Sequence, residues 1–255
     1  MTKELVSLTY LILSTMIGAG ILALPGVFYS VGLLNSLILF LLSIFLVYSA
    51  SLILLKASLK AYKLQIHEVF EKYFGKSGKN VTFVLISLTI LFTNVAYLNA
   101  INLSLKEFTY SSEILTLMLA SIAMIIAFLG FKYVEKSEKI LFIAKMIVYF
   151  TFISFIIFVP SKFEIKQVSF EWSSNLSFLL VSIFAFSFYT VIPSLLHISK
   201  NEVVIKQSFQ ISLILAFIFY FLFSFLISQR VGNSEIATLG FNELFNLLTI
   251  FLVIT

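Results

Sequence analysis

A chain of 255 residues that is 60% hydrophobic and only 11% charged is excluded from the ordinary soluble globular class, and its mean hydropathy of +1.09 agrees. The formal net charge of +5 does not point to a nucleic-acid partner, because the lysines gather in short connections between apolar runs. With no cysteine, disulfide, thiolate and zinc–thiolate chemistry are closed to it.

The apolar runs predict membrane spans at about 5–29, 33–55, 80–104, 112–131, 138–159, 174–197 and 204–228, with an eighth run starting near Leu244. This is the pattern of an all-α polytopic membrane protein, one transmembrane domain over residues 1–255. The first run extends from Leu5 past Phe28, too long for a signal-peptide core and without a small-residue cleavage site.

Span 1 contains "IGAGILALP" (Ile17 to Pro25), two glycines and a proline where an uninterrupted helix would be expected. Between spans 2 and 3, "KAYKLQIHEVFEKYFGKSGKN" predicts a short amphipathic helix over Ile66 to Phe74, closed by Gly75. Its apolar positions Ile66, Val69, Phe70 and Tyr73 follow helical spacing, so it should lie along the membrane surface. Span 3 carries "FTNVAYLNAIN", whose Asn94, Tyr97 and Asn99 are polar at membrane depth and should face protein rather than lipid. In span 5, Lys145 lies about 10 Å deep, seven residues past a span opening near Glu138 at about 1.5 Å per residue. Its aliphatic stem could return the ammonium to the interface, so depth alone does not give it a role.

Span 6 contains "SIFAFSFYTVIPSLLHIS", with Pro193 in its interior. A proline there removes a backbone hydrogen bond, and in hydrocarbon the freed carbonyl is tolerated only against protein or a wet cavity. Basic residues set the orientation. Twelve lysines (Lys3, Lys56, Lys60, Lys63, Lys72, Lys76, Lys79, Lys132, Lys136, Lys139, Lys200, Lys206) fall on the N-terminal side, against Lys106, Lys162, Lys166 and Arg230 on the other, so the N-terminus should be cytoplasmic. Spans 1 and 6 then enter the bilayer from opposite faces. Two interrupted spans, five apart and opposite in direction, are the mark of an inverted repeat with a binding site at its midplane. Either break alone could serve close helix packing; the pairing favours a site.

"GAGILALP" followed by Gly32, and "FAFSFYTVIPSLL" (Phe184 to Leu196), resemble the first- and sixth-helix motifs of the amino acid/polyamine/organocation superfamily. The likeness is nearest to its amino acid/auxin permease and aromatic amino acid permease branches. "HEVFEKYFGKSGK" is similar to the connection between that family's second and third helices, and Phe188–Tyr189 departs from the usual pair at its position. The resemblance implies a leucine-transporter-type fold, an inverted five-helix repeat with spans 1 and 6 broken. The first repeat would cover about 5–159 and a partial second repeat about 174–255, so the second is incomplete. It also implies that Ile17, Gly18, Ala19 and Gly20 offer backbone N–H groups to a substrate carboxylate. Around Phe184 to Ser187, span 6 would face the α-amino group, with Phe184 and Phe186 toward the side chain and Ser187 at the break. Tyr97 would pack over the substrate, and Lys145 would stand where proton-coupled members place a lysine and sodium-coupled members a cation. A buried lysine readily gives up its proton, which suits proton coupling.

Hydrolytic and metal constellations are missing from the sequence, which has no aspartate, two separated histidines (His67, His197) and no Gly-x-x-x-x-Gly-Lys-Ser/Thr phosphate loop. An enzyme, a metal site and an organic cofactor are therefore not expected, and the coupling ion would be H+ or Na+. The expected activity is secondary active transport of an amino acid by alternating access in the cell membrane, a symport. The competing reading is a non-transporting structural or regulatory subunit that keeps the same architecture. An ion pore is disfavoured by the scarcity of intramembrane charge and the lack of an acidic ring. The last run, Leu244 to Thr255, reaches only about 18 Å of a hydrocarbon core about 30 Å thick. On that count the repeat would need a separate C-terminal half polypeptide or further sequence.

Overall fold

A computed structural model describes residues 3–18, 20–61, 64–105, 112–128 and 171–231, together with 142–147, 149–151, 153, 154, 157 and 158. In chain order the helices are α1 (Lys3–Met16), α2 (Gly20–Val31), α3 (Leu33–Lys60), α4 (Ile66–Leu105), α5 (Ser112–Phe128) and α6 (Trp172–Phe186). A 3-10 turn (Tyr189–Val191), α7 (Ile192–Ile198) and α8 (Glu202–Val231) follow. The described residues between 142 and 158 are helical as well, and no strand occurs among the described residues. Among the described residues, four helical stretches are long and apolar enough to cross a membrane: Leu33–Lys60, Ile66–Val95, Trp172–Ile198 and Glu202–Arg230. The run from Leu244 and the alanine at position 19 lie outside the described residues, as does much of span 5.

Both predicted interruptions are present. In span 1, α1 ends at Met16 and α2 starts at Gly20. Gly18 N–H donates to the Met16 carbonyl at 2.8 Å, and Ile21 N–H reaches the Gly18 carbonyl at 3.3 Å. The Ile17 carbonyl, which Ile21 would otherwise pair, is thereby freed. Pro25 sits inside α2 without ending it. In span 6 the break falls a few residues later than the sequence suggests. Phe184 to Phe186 remain helical, Ser187 is extended (φ −71°, ψ 129°), and the 3-10 turn leads into α7 with Pro193 in its first turn. Proline is tolerated there because the first N–H groups of a helix have no intrahelical acceptor.

The halves of the two interrupted spans meet crosswise. α1 touches the 3-10 turn and α7, whereas α2 packs along α6, so spans 1 and 6 run antiparallel. α8 lies along both α1 and α2, and α3 lies along α6. The buried stripe of α3 reads Ser36, Phe40, Ser43, Val47, Ser51, Leu55, Ser58, with spacings of three and four. Serine at alternate positions lets neighbouring backbones approach, while the larger residues fill the space between them. Ser36 and Ser43 place their hydroxyl protons on the Gly32 and Leu39 carbonyls of their own helix, at 2.6 and 2.8 Å. A knot of rings joins four helices, with Phe28 of α2, Phe40 of α3, Phe178 and Phe186 of α6, and Phe217 and Tyr220 of α8. Many of the remaining apolar side chains of α4 and α5, such as Phe83, Phe92, Ile114 and Phe128, are exposed, as lipid-facing residues are.

The amphipathic helix forms as the first part of α4 and stops at Gly75, whose φ of 68° and ψ of −167° are accessible in practice only to glycine. Across that corner Lys79 binds Glu71 at 2.7 Å, and before it Lys72 donates to the Lys60 carbonyl at the end of α3 at 2.8 Å. The hydrogen bond that it donates to the Glu71 carboxylate raises the pKa of the Lys79 ammonium above the usual lysine range. A Cβ at position 75 would meet nothing within 4 Å. Gly75→Ala therefore carries backbone strain alone, about 1–3 kcal/mol. The expected result is faster amide exchange over 66–79 with the rest of the protein unchanged, read by hydrogen-exchange mass spectrometry.

Candidate functional site

A cavity of about 260 Å³ lies where the interrupted spans pass α4. Span 1 contributes Thr15, Met16 and Gly18, and α4 contributes Thr89, Ile90, Thr93 and Asn94. Span 6 supplies Phe184, Ala185, Ser187, Tyr189 and Thr190. The volume is at the small end for ligand pockets. None of these residues is charged, so the described wall suits a ligand without net charge. Several of the hydroxyls are already directed at carbonyls of their own helices. Thr15 donates to Leu11 at 2.9 Å, Thr89 to Leu85 at 2.8 Å, Thr93 to Thr89 at 2.7 Å and Ser187 to Ile183 at 2.6 Å. A hydroxyl so engaged keeps lone pairs for an incoming donor such as an ammonium.

A second, larger cavity of about 910 Å³ opens between α3, the amphipathic part of α4 and the span 6 break. Lys56 and Lys60 line it, with Ile66, Val69, Phe70 and Tyr73 along the amphipathic face. Ser187 and Tyr189 line both spaces, so the unwound part of span 6 is the partition between them.

Of the residues singled out from sequence, Gly18, Asn94, Phe184 and Ser187 line the smaller cavity, and Phe184 is 47% exposed. The Ile17 side chain is 2% exposed and belongs to the core, while its carbonyl accepts from Lys145 Nζ. Gly20 opens α2, and Ala19 is outside the described residues. Tyr97 lies on α4, two turns after Thr89 and one after Thr93; its side chain is not described. Phe186 is fully buried, edge-on to Phe40 at 5.7 Å and to Tyr220 at 5.3 Å. The side chain of Lys145 is half-buried, with its ammonium 5.4 Å from the Phe142 ring centroid. Sequence reasoning passed over Thr15, Thr89 and Thr93, and marked Tyr189 only as part of a departure from the family's usual pair. The Thr89–Thr93 spacing of four, one helical face with Tyr97, was the available signal.

Among the described residues no group of three or more His, Cys, Asp or Glu could hold a metal ion. A chain helical throughout its described residues, with a small uncharged cavity between two interrupted, antiparallel spans, has the form expected of a membrane permease. The family model for the tryptophan/tyrosine permease family matches residues 1–247, and the chain belongs to that family. Membership makes it an amino-acid-permease-type transporter, a multi-pass membrane protein rather than an enzyme. No curated protein and no solved structure matches the chain.

Proposed function

We propose that the chain carries an aromatic amino acid across the cell membrane by alternating access, as a symporter driven by a proton or sodium gradient. The supporting observation is the small cavity bounded by both span breaks, with a larger cavity on the other side of the span 6 partition. The N-terminus is cytoplasmic on the lysine distribution, which puts Lys56 and Lys60 of the larger cavity at the cytoplasmic face. The fold is an inverted repeat of the leucine-transporter type, and within the superfamily the chain sits with the amino acid/auxin and aromatic amino acid permease branches. The substrate carboxylate meets the start of α2, around Gly18 to Gly20, where the first N–H groups of a helix and its dipole favour negative charge. Its ammonium meets the carbonyls and hydroxyls opposite, and its ring stacks between Phe184, Tyr189 and Tyr97. Lys145, bonded to the carbonyl that the span 1 break releases, is the candidate proton carrier.

The test is binding of tritiated tryptophan and tyrosine to the purified protein in detergent, by scintillation proximity, with leucine and lysine as competitors. Saturable binding displaced by aromatic amino acids is expected. Phe184→Ala should weaken it about tenfold, a loss of about 1.4 kcal/mol consistent with one aromatic contact. A folded protein that binds no amino acid saturably, or whose affinity ignores Phe184, overturns the proposal.

A further inference from the structure

Tyr220 sits at the middle of α8, on neither interrupted span, and is fully buried. Its hydroxyl lies 2.5 Å from the Met16 carbonyl and 3.2 Å from the Ala185 carbonyl. Met16 is the last residue of α1 and Ala185 the last but one of α6, so both oxygens lie in the final turn before a break, and both residues line the small cavity. A helix that ends inside the membrane leaves its last carbonyls without intrahelical partners, and water is not there to replace them. Met16 O already accepts from Gly18 N–H within the break, so the phenol adds a second donor to an oxygen with two lone pairs. The ring is held edge-on to Phe186 at 5.3 Å, which fixes where the hydroxyl points.

We infer that Tyr220 is a positioning residue for the site: one phenol on span 7 sets the separation and register of the two broken spans by bonding both of their loose ends. The inference rests on the cavity being the substrate site. A phenol has one proton and two carbonyls compete for it. The short bond anchors span 1, and the longer contact is the one that exchanges. When a substrate ammonium enters and donates to the Ala185 carbonyl, the phenol keeps its proton on Met16 and the span 6 end is released from it. The two carbonyls thus share one donor in the empty protein, and that of Ala185 becomes available on binding.

Tyr220→Phe removes the oxygen and keeps the ring, so the packing against Phe186 survives. Hydrogen-exchange mass spectrometry on the purified protein should show amides of peptides covering 13–21 and 184–191 exchanging at least tenfold faster than in the wild type. Amides of α3 should be unchanged. Saturating tryptophan should slow exchange at 184–191 in the wild type more than in the variant, and the variant's affinity should fall about tenfold. Tyr220→Leu, which loses ring and hydroxyl, reports the packing contribution separately. Equal exchange in wild type and Tyr220→Phe overturns the inference, as does a variant that loosens α3 as much as the two breaks. If the exchange difference appears but neither protein binds any amino acid, the positioning role stands and the transport reading fails.

Discussion

Phe40→Ala should lower the unfolding free energy by about 3–5 kcal/mol, the usual cost of emptying a buried phenylalanine site. Phe40 is fully buried at the centre of the ring knot. It lies 6.4 Å from Phe28, 4.9 Å from Phe178, 5.7 Å from Phe186 and 6.0 Å from Phe217, centroid to centroid, so it joins α3 to α2, α6 and α8. The loss does not depend on water. In a bilayer the displaced surface would meet lipid tails as apolar as itself, and helix association relies on packing. An alanine at position 40 takes partner atoms from four rings, and each edge-to-face pair is worth about 0.5–1.5 kcal/mol. Because Phe186 immediately precedes the span 6 break, slack at position 40 should reach the cavity as well. The check is thermal unfolding in detergent by circular dichroism, alongside Phe45→Ala. Phe45 is 64% exposed on the same helix and should change stability by no more than about 0.5 kcal/mol. Equal effects at positions 40 and 45 would remove the ring knot from its central place in the fold.

Elements written in local chemistry were legible in advance; those that depend on distant partners were not. The break in span 1 and the corner at Gly75 are readable because glycine and the surrounding pattern act within a turn or two. The span 6 break was foreseen but set a few residues early. Phe184 to Phe186 are good enough helix residues once Phe186 is seated against Phe40 and Tyr220, and Pro193 needs only to stand in the first turn of α7. Phe184 and Phe186 carried the same weight in the motif, yet they are two positions apart on a helix and face different surroundings, one the cavity and one the core. Thr89 and Thr93 were hidden in plain view, as threonine in a membrane helix commonly bonds back to its own turn, and these two do. Tyr220 could not be picked out at all. Its meaning comes from carbonyls 204 and 35 residues away, and along α8 it is one aromatic among Phe217, Phe219, Phe221 and Phe223.

Lys145→Ala should abolish accumulation of substrate driven by an imposed pH gradient while leaving substrate exchange between the two faces of the membrane measurable. The geometry behind this is a pairing of two unusual groups. The ammonium donates to the Ile17 carbonyl, and that carbonyl is free because Ile21 N–H has turned to Gly18 instead. The helical residues around Lys145 are fixed between α1 and α8. Phe142 is edge-on to Tyr10 at 4.9 Å and Tyr149 to Phe219 at 5.7 Å, which holds the lysine stem alongside the break. A lysine bonded there stabilises the unwound backbone while it carries its proton, and loses its charge and one of its three donors once the proton leaves. Protonation and the shape of span 1 are then linked: whatever changes one shifts the other by the same free energy. Removing the side chain leaves a carbonyl without its donor in apolar surroundings, at a cost of about 1–3 kcal/mol, so some loss of affinity is expected too. A lysine that only reached back to the membrane interface would leave pH-driven uptake and exchange equally intact in the variant. Exchange driven by substrate alone needs no proton movement, so measuring it beside pH-driven uptake in the same vesicles separates a coupling role from a purely structural one. Retention of full pH-driven accumulation by Lys145→Ala would assign the bond to Ile17 to architecture and send the search for the coupling ion elsewhere.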